Sequence, residues 1–307
     1  MYTSFGGPDV LELQDMAEPH AGSDEVRVRV AAAGLNPMDW GLSSKPDAAA
    51  RFGITLPSGF GTDFAGTIDE VGFNVKDFHI GDRVFGGALG RAVADYIVLN
   101  VSSTETLRHT PSGIPDVIAS ALPVAGLTAD AALSVIGVTS GDTVLIGGAA
   151  GGVGTFAVQL AKLAGATVIG TGSGDSFDYL RQLGALPVTY GPGLADRVRK
   201  LAPHGVDAAT ALVGTETIDV ALALGISPAR ISTIAAGPNP PSGVHATGAA
   251  QASPGALDRF TDAISSGKLT VPIAATFPIE RTREAVTLQR GGHVHGKVVI
   301  TLSEKDS

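Results

Sequence analysis

The stretch DTVLIGGAAGGVGTFAVQLAKLAGATVIGTG, residues 142–172, decides the fold of this chain. Its β-branched apolar run at residues 143–146 meets a cluster of glycines, and a helical pattern of apolar residues then continues to Gly165. A second β-branched run follows at residues 167–169. The stretch therefore predicts a strand, a tight turn, a helix and a second strand that is parallel to the first.

The turn has the spacing of the pattern G-x-G-x-x-G, with Ala149, Gly151 and Gly154 in its three positions. In that pattern the first residue allows the turn, the second lets the backbone approach a pyrophosphate, and the third lets the helix pack closely on the strand. Gly151, Gly152 and Val153 would present backbone N–H groups and the positive helix end to a phosphate. The context favours a nucleotide site over a purely structural turn, and the lack of a following Gly-Lys-Ser/Thr excludes a P-loop.

The end of the second predicted strand distinguishes between the two nicotinamide dinucleotides. NAD-binding proteins usually place Asp or Glu there to hold the ribose 2′-hydroxyl, whereas this chain has Gly172 and Ser173. Because no carboxylate would repel a 2′-phosphate and a hydroxyl could bond it, the sequence favours NADP over NAD. Asp175 and the lack of Arg or Lys at residues 172–179 weaken that preference.

The composition of the 307 residues excludes several functional classes. A net charge of −9 without a run of Lys or Arg argues against nucleic-acid and anionic-membrane partners. The lack of cysteine excludes disulfides, cysteine nucleophiles and thiolate metal sites. Residues 1–20 lack the apolar core of a signal peptide, so we expect a cytoplasmic protein. Pro123, Gly126 and Asp130 interrupt the apolar stretch 117–138, which is predicted to form a buried helix pair and no membrane span.

Local patterns divide the chain into a β-rich part and an alternating part. No helical period is apparent before about residue 114, and strands are predicted at residues 11–13, 25–32, 61–71, 81–85 and 94–99. Further on, helices are predicted at 115–119, 177–183, 195–201, 214–224, 257–265 and 281–289, and β structure at 187–190, 208–213, 231–235, 269–277 and 297–302. The Pro/Gly/Ser-rich residues 237–255 are predicted to be a mobile loop. The alternation predicts a doubly wound parallel sheet.

Six segments occur in the following order: AAAGLNPMDW (31–40), GTDFAGTIDEVG (61–72), FHIGDRVFG (78–86), LPVAGLTADAAL (122–133), GGAAGGVGTFAVQLAK (147–162) and HGKVVI (295–300). Together they resemble the medium-chain dehydrogenase/reductase superfamily, and in particular its zinc-independent quinone oxidoreductase branch. The resemblance covers nearly the whole chain and implies an α/β fold. It implies an NADP-binding Rossmann domain with a doubly wound parallel sheet at residues 113–267. A β-rich, GroES-like substrate and catalytic domain would comprise residues 1–112 and 268–307.

The resemblance also addresses metal binding. Zinc alcohol dehydrogenases of this superfamily have a cysteine where this chain has Asn36, a histidine where it has Thr62, and a further cysteine near Leu127. Zinc needs three or four N, S or carboxylate ligands that converge on one point, so no metal site is expected here. His293 and His295 stand at alternate positions, but two ligands do not make a site.

Without a metal ion, reduction of a simple ketone would need a protein acid, and the Tyr-x-x-x-Lys pair of short-chain reductases is absent. A quinone or an α,β-unsaturated carbonyl accepts hydride at carbon and delocalises the negative charge onto oxygen, so a hydrogen-bond donor and water suffice. This chemistry and the resemblance together predict an NADPH-dependent reductase of quinones or enones. The alternatives are an enoyl or alkenal reductase of the same superfamily and a nucleotide-binding protein with little turnover. A homodimer is usual for the family.

The resemblance implies that the nicotinamide lies in the cleft between the domains, with Asn36 and Asp39 on the substrate side as candidate catalytic residues. Asn36 would bond the acceptor carbonyl or the cofactor, or serve as a turn residue before a proline, and Asp39 would hold the loop. Asp63 is open to a functional or a structural role, because the family's acidic residue there often pairs with an arginine. Tyr190 resembles a tyrosine near the 2′-phosphate, and a lysine often found on the preceding helix is replaced near Ser176. The candidate cofactor-binding residues are Asn36, Thr128, Ala149, Gly151, Gly152, Val153, Gly154, Gly172, Ser173, Tyr190, Val213, Ala235 and Ala236.

Overall fold

The computed structural model describes residues 1–102, 107–237 and 239–302. In chain order its strands are β1 (Glu25–Leu35), β2 (Asp63–Val71), β3 (Arg83–Gly87), β4 (Tyr96–Asn100), β5 (Arg108–His109), β6 (Thr143–Gly147), β7 (Thr167–Gly172), β8 (Leu186–Thr189), β9 (Ala208–Ala211), β10 (Ile231–Thr233), β11 (His245–Ala246), β12 (Ile273–Pro278) and β13 (Lys297–Thr301). Its α-helices are α1 (Pro37–Ser44), α2 (Pro46–Arg51), α3 (Asp116–Ala119), α4 (Pro123–Ser134), α5 (Gly152–Leu163), α6 (Phe177–Gln182), α7 (Leu194–Leu201), α8 (Glu216–Ala223), α9 (Ala256–Ser265) and α10 (Thr282–Arg290).

The chain divides into two compact units. The first unit comprises Met1–Val124, Ile273–Gly292 and Lys297–Ser307, and the second comprises Ala125–Pro272 and His293–Gly296. The last four residues of the second unit thus come from a short segment close to the carboxyl end of the chain.

The first unit is built on a mostly antiparallel sheet in the order β12-β13-β1-β2-β3-β5, with β4 paired to β1. In the first half of β1, the alternate residues Val26, Val28 and Val30 are buried. This period of two buries one face of the strand. β1 then runs directly into α1, whose first helical residue, Pro37, has the fixed φ that suits a helix start.

The second unit is built on a parallel sheet in the order β11-β10-β9-β6-β7-β8. The predicted strand, turn, helix and parallel strand are present as β6, α5 and β7, and the doubly wound parallel sheet is confirmed. β6 pairs with β7 on one edge and with β9 on the other, and both of these strands come later in the chain. The strand order of the sheet therefore reverses at β6. Ligands of open α/β sheets bind at such a switch point, outside the carboxyl ends of the strands.

The apolar residues 117–138 form α3 and α4, as predicted for a helix pair. Among the residues that the structure describes, no helix is long and apolar enough to cross a membrane.

Three local predictions are wrong. Helices α1 and α2 lie in the part of the chain where no helix was expected, and with eight and six residues they are too short to show a helical period. Residues 11–13 form no strand and follow a single 3₁₀ turn at Pro8–Val10. The predicted loop 237–255 contains β11, which pairs in parallel with β10; within that loop, Pro238 lies outside the described residues.

Candidate functional site

The glycine-rich turn connects β6 to α5 in the second unit. Gly148 has a φ of +73°, a conformation that residues with a side chain rarely adopt, and its carbonyl accepts the N–H of Gly151 at 3.2 Å. Thr171 of β7 fixes the turn from the side, because its hydroxyl oxygen accepts the N–H of Gly148 at 3.0 Å and its carbonyl accepts that of Ala149 at 3.2 Å. The neighbouring strand therefore holds the turn in place.

The two later glycines of the pattern have different surroundings. A Cβ built at Gly151 would meet the carbonyl oxygen of Gly148 at 3.5 Å, an ordinary contact, whereas one built at Gly154 would collide with backbone atoms of the turn. Gly152 and Val153 begin α5, so their N–H groups have no acceptor within the helix. The turn thus offers N–H groups on a side that Gly151 leaves open, and these residues fit the pyrophosphate of a dinucleotide.

The carboxyl ends of β7 and β8 bring together three of the predicted cofactor-binding residues. Gly172 pairs with Thr189, the last residue of β8, so Ser173 and Tyr190 are the first residues after the two strands at this edge. Tyr190 is 53% exposed. No acidic side chain directly follows β7, because Asp175 comes three residues after Gly172 and is exposed. The edge is therefore compatible with a 2′-phosphate.

The remaining predicted residues of the second unit lie at the ends of β9 and β10 or on α4. Val213 follows β9, is 68% exposed and lies against the turn at Gly148. The N–H groups of Ala235 and Ala236 both donate to the hydroxyl of Thr233 at 3.1 Å. Thr128 is buried on α4. Val213, Ala235 and Ala236 thus share the carboxyl edge of the sheet with the turn.

The two candidate catalytic residues lie in the first unit, within a buried polar cluster made of Asn36, Asp39, Thr62, Asp63 and Lys297. The amide nitrogen of Asn36 donates to the carbonyl of Gly34 at 3.2 Å and to Asp63 at 2.8 Å, and its oxygen accepts from Lys297. Both ends of this amide are therefore engaged inside the cluster.

Asp39 connects the start of α1 to the start of β2. One carboxylate oxygen accepts the N–H of Asn36 at 2.8 Å, and the other accepts the hydroxyl of Thr62 at 2.6 Å. Asp63 accepts the N–H of Val124 at 3.1 Å, and its carboxylate lies 3.8 Å from the ammonium of Lys297. The cluster thus contains two carboxyl groups and one amine that are all shielded from water.

Burial controls the protonation of this cluster because it disfavours each charged form. Burial raises the pKa of Asp39 to about 6, against the opposing effect of the Thr62 hydroxyl bond. It raises the pKa of Asp63 to about 7, although Lys297 opposes the shift. Burial also lowers the pKa of Lys297, and the two carboxylates counteract this change. The cluster can therefore take up or release a proton near neutral pH.

Two family models match this chain: the alcohol dehydrogenase GroES-like domain at residues 22–100 and the zinc-binding dehydrogenase domain at residues 152–251. The structure of the quinone oxidoreductase from Coxiella burnetii is similar over 98% of both chains, with 30% identity and a TM-score of 0.83. The chain belongs to the medium-chain dehydrogenase/reductase superfamily. It lies in the quinone oxidoreductase branch, and the α/β class with a Rossmann-type sheet and a GroES-like domain is confirmed.

Two curated proteins of this superfamily show how far the similarity extends. The quinone oxidoreductase of Pseudomonas aeruginosa is 41% identical over 177 residues, which are 55% of this chain and 51% of that protein. The NADPH-dependent alkenal/one oxidoreductase of Arabidopsis thaliana, a chloroplastic protein, is 29% identical over 98% of this chain and 78% of its own. The match thus spans about half the length of the Pseudomonas protein.

Zinc does not fit the polar cluster of this superfamily member. The hydroxyl of Thr62 donates to Asp39, the amide oxygen of Asn36 accepts from Lys297, and that ammonium lies beside Asp63. A metal ion at this point would face a positive charge and oxygens that already accept hydrogen bonds. Across the described residues, no group of three or more His, Asp or Glu side chains is arranged to hold a metal ion.

Sequence reasoning missed Thr171 and Lys297, and it considered His295 only as a possible metal ligand. Lys297 is 3% exposed at the start of β13, and a fully buried lysine is rare unless it is paired. Its place directly before the apolar residues 298–300 is the sequence signal that could have revealed it. Thr171 gives no comparable signal, because a threonine near a strand end is common.

Proposed function

We propose that this protein is an oxidoreductase that transfers hydride from NADPH to a quinone or an α,β-unsaturated carbonyl. The observation that supports this most strongly is the polar cluster of the first unit, in which Asn36, Thr62 and Lys297 form hydrogen bonds that leave no zinc site. Acceptors of this class delocalise the charge that hydride transfer creates, so they need no Lewis acid. The names of the Pseudomonas and Arabidopsis relatives point to the same acceptors.

The second unit is proposed to bind the dinucleotide, which supplies the hydride when it is bound. The N–H groups of Gly152 and Val153 would hold the pyrophosphate, because they lack acceptors within α5. Ser173 and Tyr190 would receive the 2′-phosphate at the ends of β7 and β8. The preference for NADP over NAD rests on the missing carboxylate and agrees with the name of the Arabidopsis relative, which is NADPH-dependent. The other cofactor contacts remain predictions, as does the domain boundary at residues 113–267.

The roles proposed for the polar cluster follow from its hydrogen bonds. Because both ends of the Asn36 amide are engaged, this residue acts by holding Lys297 and Asp63 in position. Asp39 and the hydroxyl of Thr62 form the part of the cluster that can store a proton, because the pKa of Asp39 is about 6. A catalytic role for Asn36 or Asp39 stays a prediction, as do the homodimer and the cytoplasmic location.

Within this proposal the two candidates are a quinone reductase and an alkenal or enone reductase, and the match to the Arabidopsis alkenal/one oxidoreductase over 98% of this chain favours the second. The two candidates differ in the acceptor and share the cofactor and the metal-free chemistry. The deciding experiment compares initial rates of NADPH oxidation with a simple para-quinone and with a short α,β-unsaturated ketone. NADH in place of NADPH tests the cofactor, and a chelator tests the absence of a metal.

We expect turnover with at least one of these acceptors, a higher rate with NADPH than with NADH, and no effect of the chelator. Tight NADPH binding without turnover would instead identify a nucleotide-binding protein with little activity. Loss of activity on chelation would contradict the metal-free reaction.

A further inference from the structure

His295 lies at the nucleotide-binding edge of the second unit, although it is more than a hundred residues away from that edge in sequence. Its neighbour Gly296 donates its N–H to the carbonyl of Ala150 in the glycine-rich turn at 3.2 Å. The imidazole Nε2 of His295 lies 3.0 Å from the hydroxyl of Ser176, and that hydroxyl lies 2.9 Å from the hydroxyl of Ser173. The imidazole is therefore placed between the turn and the end of β7.

The orientation of the His295 ring is fixed by its packing. The ring stacks on Tyr179, with centroids 5.1 Å apart and an angle of 14° between the planes. The Tyr179 hydroxyl lies 2.7 Å from that of Thr155, which in turn donates to the carbonyl of Gly151 at 2.9 Å. The imidazole is thus linked to the same turn from a second direction, and it is half-buried.

Arg197, Asp178 and Arg181 near this edge already have hydrogen-bond or ion-pair partners. Arg197 donates to the backbone carbonyls of residues 189–192, which shape the segment around Tyr190. On the segment that packs against His295, Asp178 pairs with Arg181 at 2.7 Å, and Asp175 is exposed. Tyr179 is neutral, because burial raises the pKa of its hydroxyl. The imidazole is therefore a basic group in contact with Ser176, whose hydroxyl contacts that of Ser173.

We propose that the imidazole of His295, together with the hydroxyls of Ser173 and Ser176, binds the 2′-phosphate of NADPH. The proposal rests on the proposed function, which requires NADPH, and it explains how the site manages without an arginine or lysine at residues 172–179. A protonated imidazole donates a charge-assisted hydrogen bond to a phosphate oxygen.

The test is a measurement of dissociation constants for NADPH and NADH, by nicotinamide fluorescence, at a pH at which the 2′-phosphate is mainly dianionic. The variants are His295→Gln, which keeps a polar side chain, and His295→Arg, which keeps a planar group that can stack on Tyr179. His293→Asn is the matched control, because His293 is exposed and has a φ of +61°, which asparagine tolerates. A pair of simpler probes, 2′,5′-ADP and 5′-ADP, separates the 2′-phosphate from the nicotinamide.

In the wild type we expect tighter binding of NADPH than of NADH. His295→Gln should weaken NADPH and 2′,5′-ADP about tenfold and leave NADH and 5′-ADP within about twofold. His295→Arg should retain NADPH affinity, and His293→Asn should behave as the wild type.

Three results would overturn the proposal, and they are distinguishable. If His295→Gln keeps the full preference for NADPH, the imidazole is not a phosphate ligand while the proposed cofactor stands. If this variant loses affinity for NADPH and NADH equally, the imidazole contributes to pyrophosphate binding or to the stability of the fold. If the wild type itself does not prefer NADPH, the proposed cofactor is wrong as well. Should His295→Gln fail to fold, a folded His295→Arg variant that has lost the preference for NADPH would still contradict the role.

Discussion

Substitution of alanine at Gly151 and at Gly154 should separate cofactor binding from folding within one turn. At Gly151 the backbone is extended, with a φ of −75°, and a new Cβ would touch the oxygen of Gly148 at 3.5 Å. The folded state accepts this methyl group without strain, so the free energy of unfolding should change by less than about 1 kcal/mol. The methyl group would instead occupy the side on which the pyrophosphate must approach the backbone.

At Gly154 the expected effect is the opposite. The new Cβ would collide with the carbonyl oxygens of Gly148 and Ala149, and backbone atoms cannot rotate away as a side chain can. Either the strand and the helix must separate or the turn must distort, and overpacking of this kind costs about 1–3 kcal/mol or more. Gly154→Ala should therefore lower the free energy of unfolding by about 3 kcal/mol.

Urea denaturation and fluorescence titration with NADPH measure the two effects on the same preparations. Gly151→Ala should fold like the wild type and bind NADPH at least tenfold more weakly, a loss of about 1.4 kcal/mol. Gly154→Ala should show its defect in urea even without any nucleotide. If Gly151→Ala binds NADPH with the affinity of the wild type, the open side of the turn does not receive the phosphate and the reasoning fails.

Three further predictions concern the polar cluster of the first unit. Lys297→Met should lower the free energy of unfolding by about 3–5 kcal/mol, because it leaves Asp63 buried without its cation. Adding Asp63→Asn should recover part of this loss. Lys162 is exposed, so Lys162→Met should leave the free energy of unfolding in urea nearly unchanged. Because burial raises the pKa of Asp39 from 3.8 to about 6, the folded protein holds this proton more tightly than the unfolded chain. The stabilisation that this proton gives to the folded state is complete below about pH 4 and is lost as the pH rises through about 6. Asp39→Asn should reduce this pH-dependent loss of stability by roughly 3 kcal/mol at most. If the free energies of unfolding of the variant and the wild type change with pH in parallel, the prediction is contradicted. Dialysis against a chelator should leave quinone or enone reduction unchanged, and reactivation by added zinc would refute the metal-free cluster.

The parts of the fold that could be predicted are those with a local signal. The β6–α5–β7 unit follows from β-branched runs around a glycine cluster, and the helix and strand order of the second unit follows from similar periodicity. Helices α1 and α2 were missed because one or two helical turns are too short for a period to emerge. Both helices begin with a proline, and in α1 the carboxylate of Asp39 also accepts the N–H of Asn36.

The functional residues also divide into those with a local sequence signal and those without one. The glycine-rich turn and the missing carboxylate after β7 are visible in short sequence windows, so sequence alone predicted them. Lys297 and His295 are brought to their partners by tertiary structure, over separations of 261 residues to Asn36 and 119 residues to Ser176. No periodic pattern can reveal contacts between residues so far apart, although both residues stand in the segment HGKVVI.

The order of strands in the second unit has a consequence for local opening of the protein. β6 is bonded on both edges, to β7 and to β9, and its residues 144–147 are buried. In hydrogen–deuterium exchange, amides of such an interior strand open only when the whole sheet does, whereas those of the two-residue edge strand β11 exchange early. The peptide groups that would receive the phosphate are therefore anchored to the slowest-exchanging part of their unit, and little ordering entropy is lost there when a nucleotide binds.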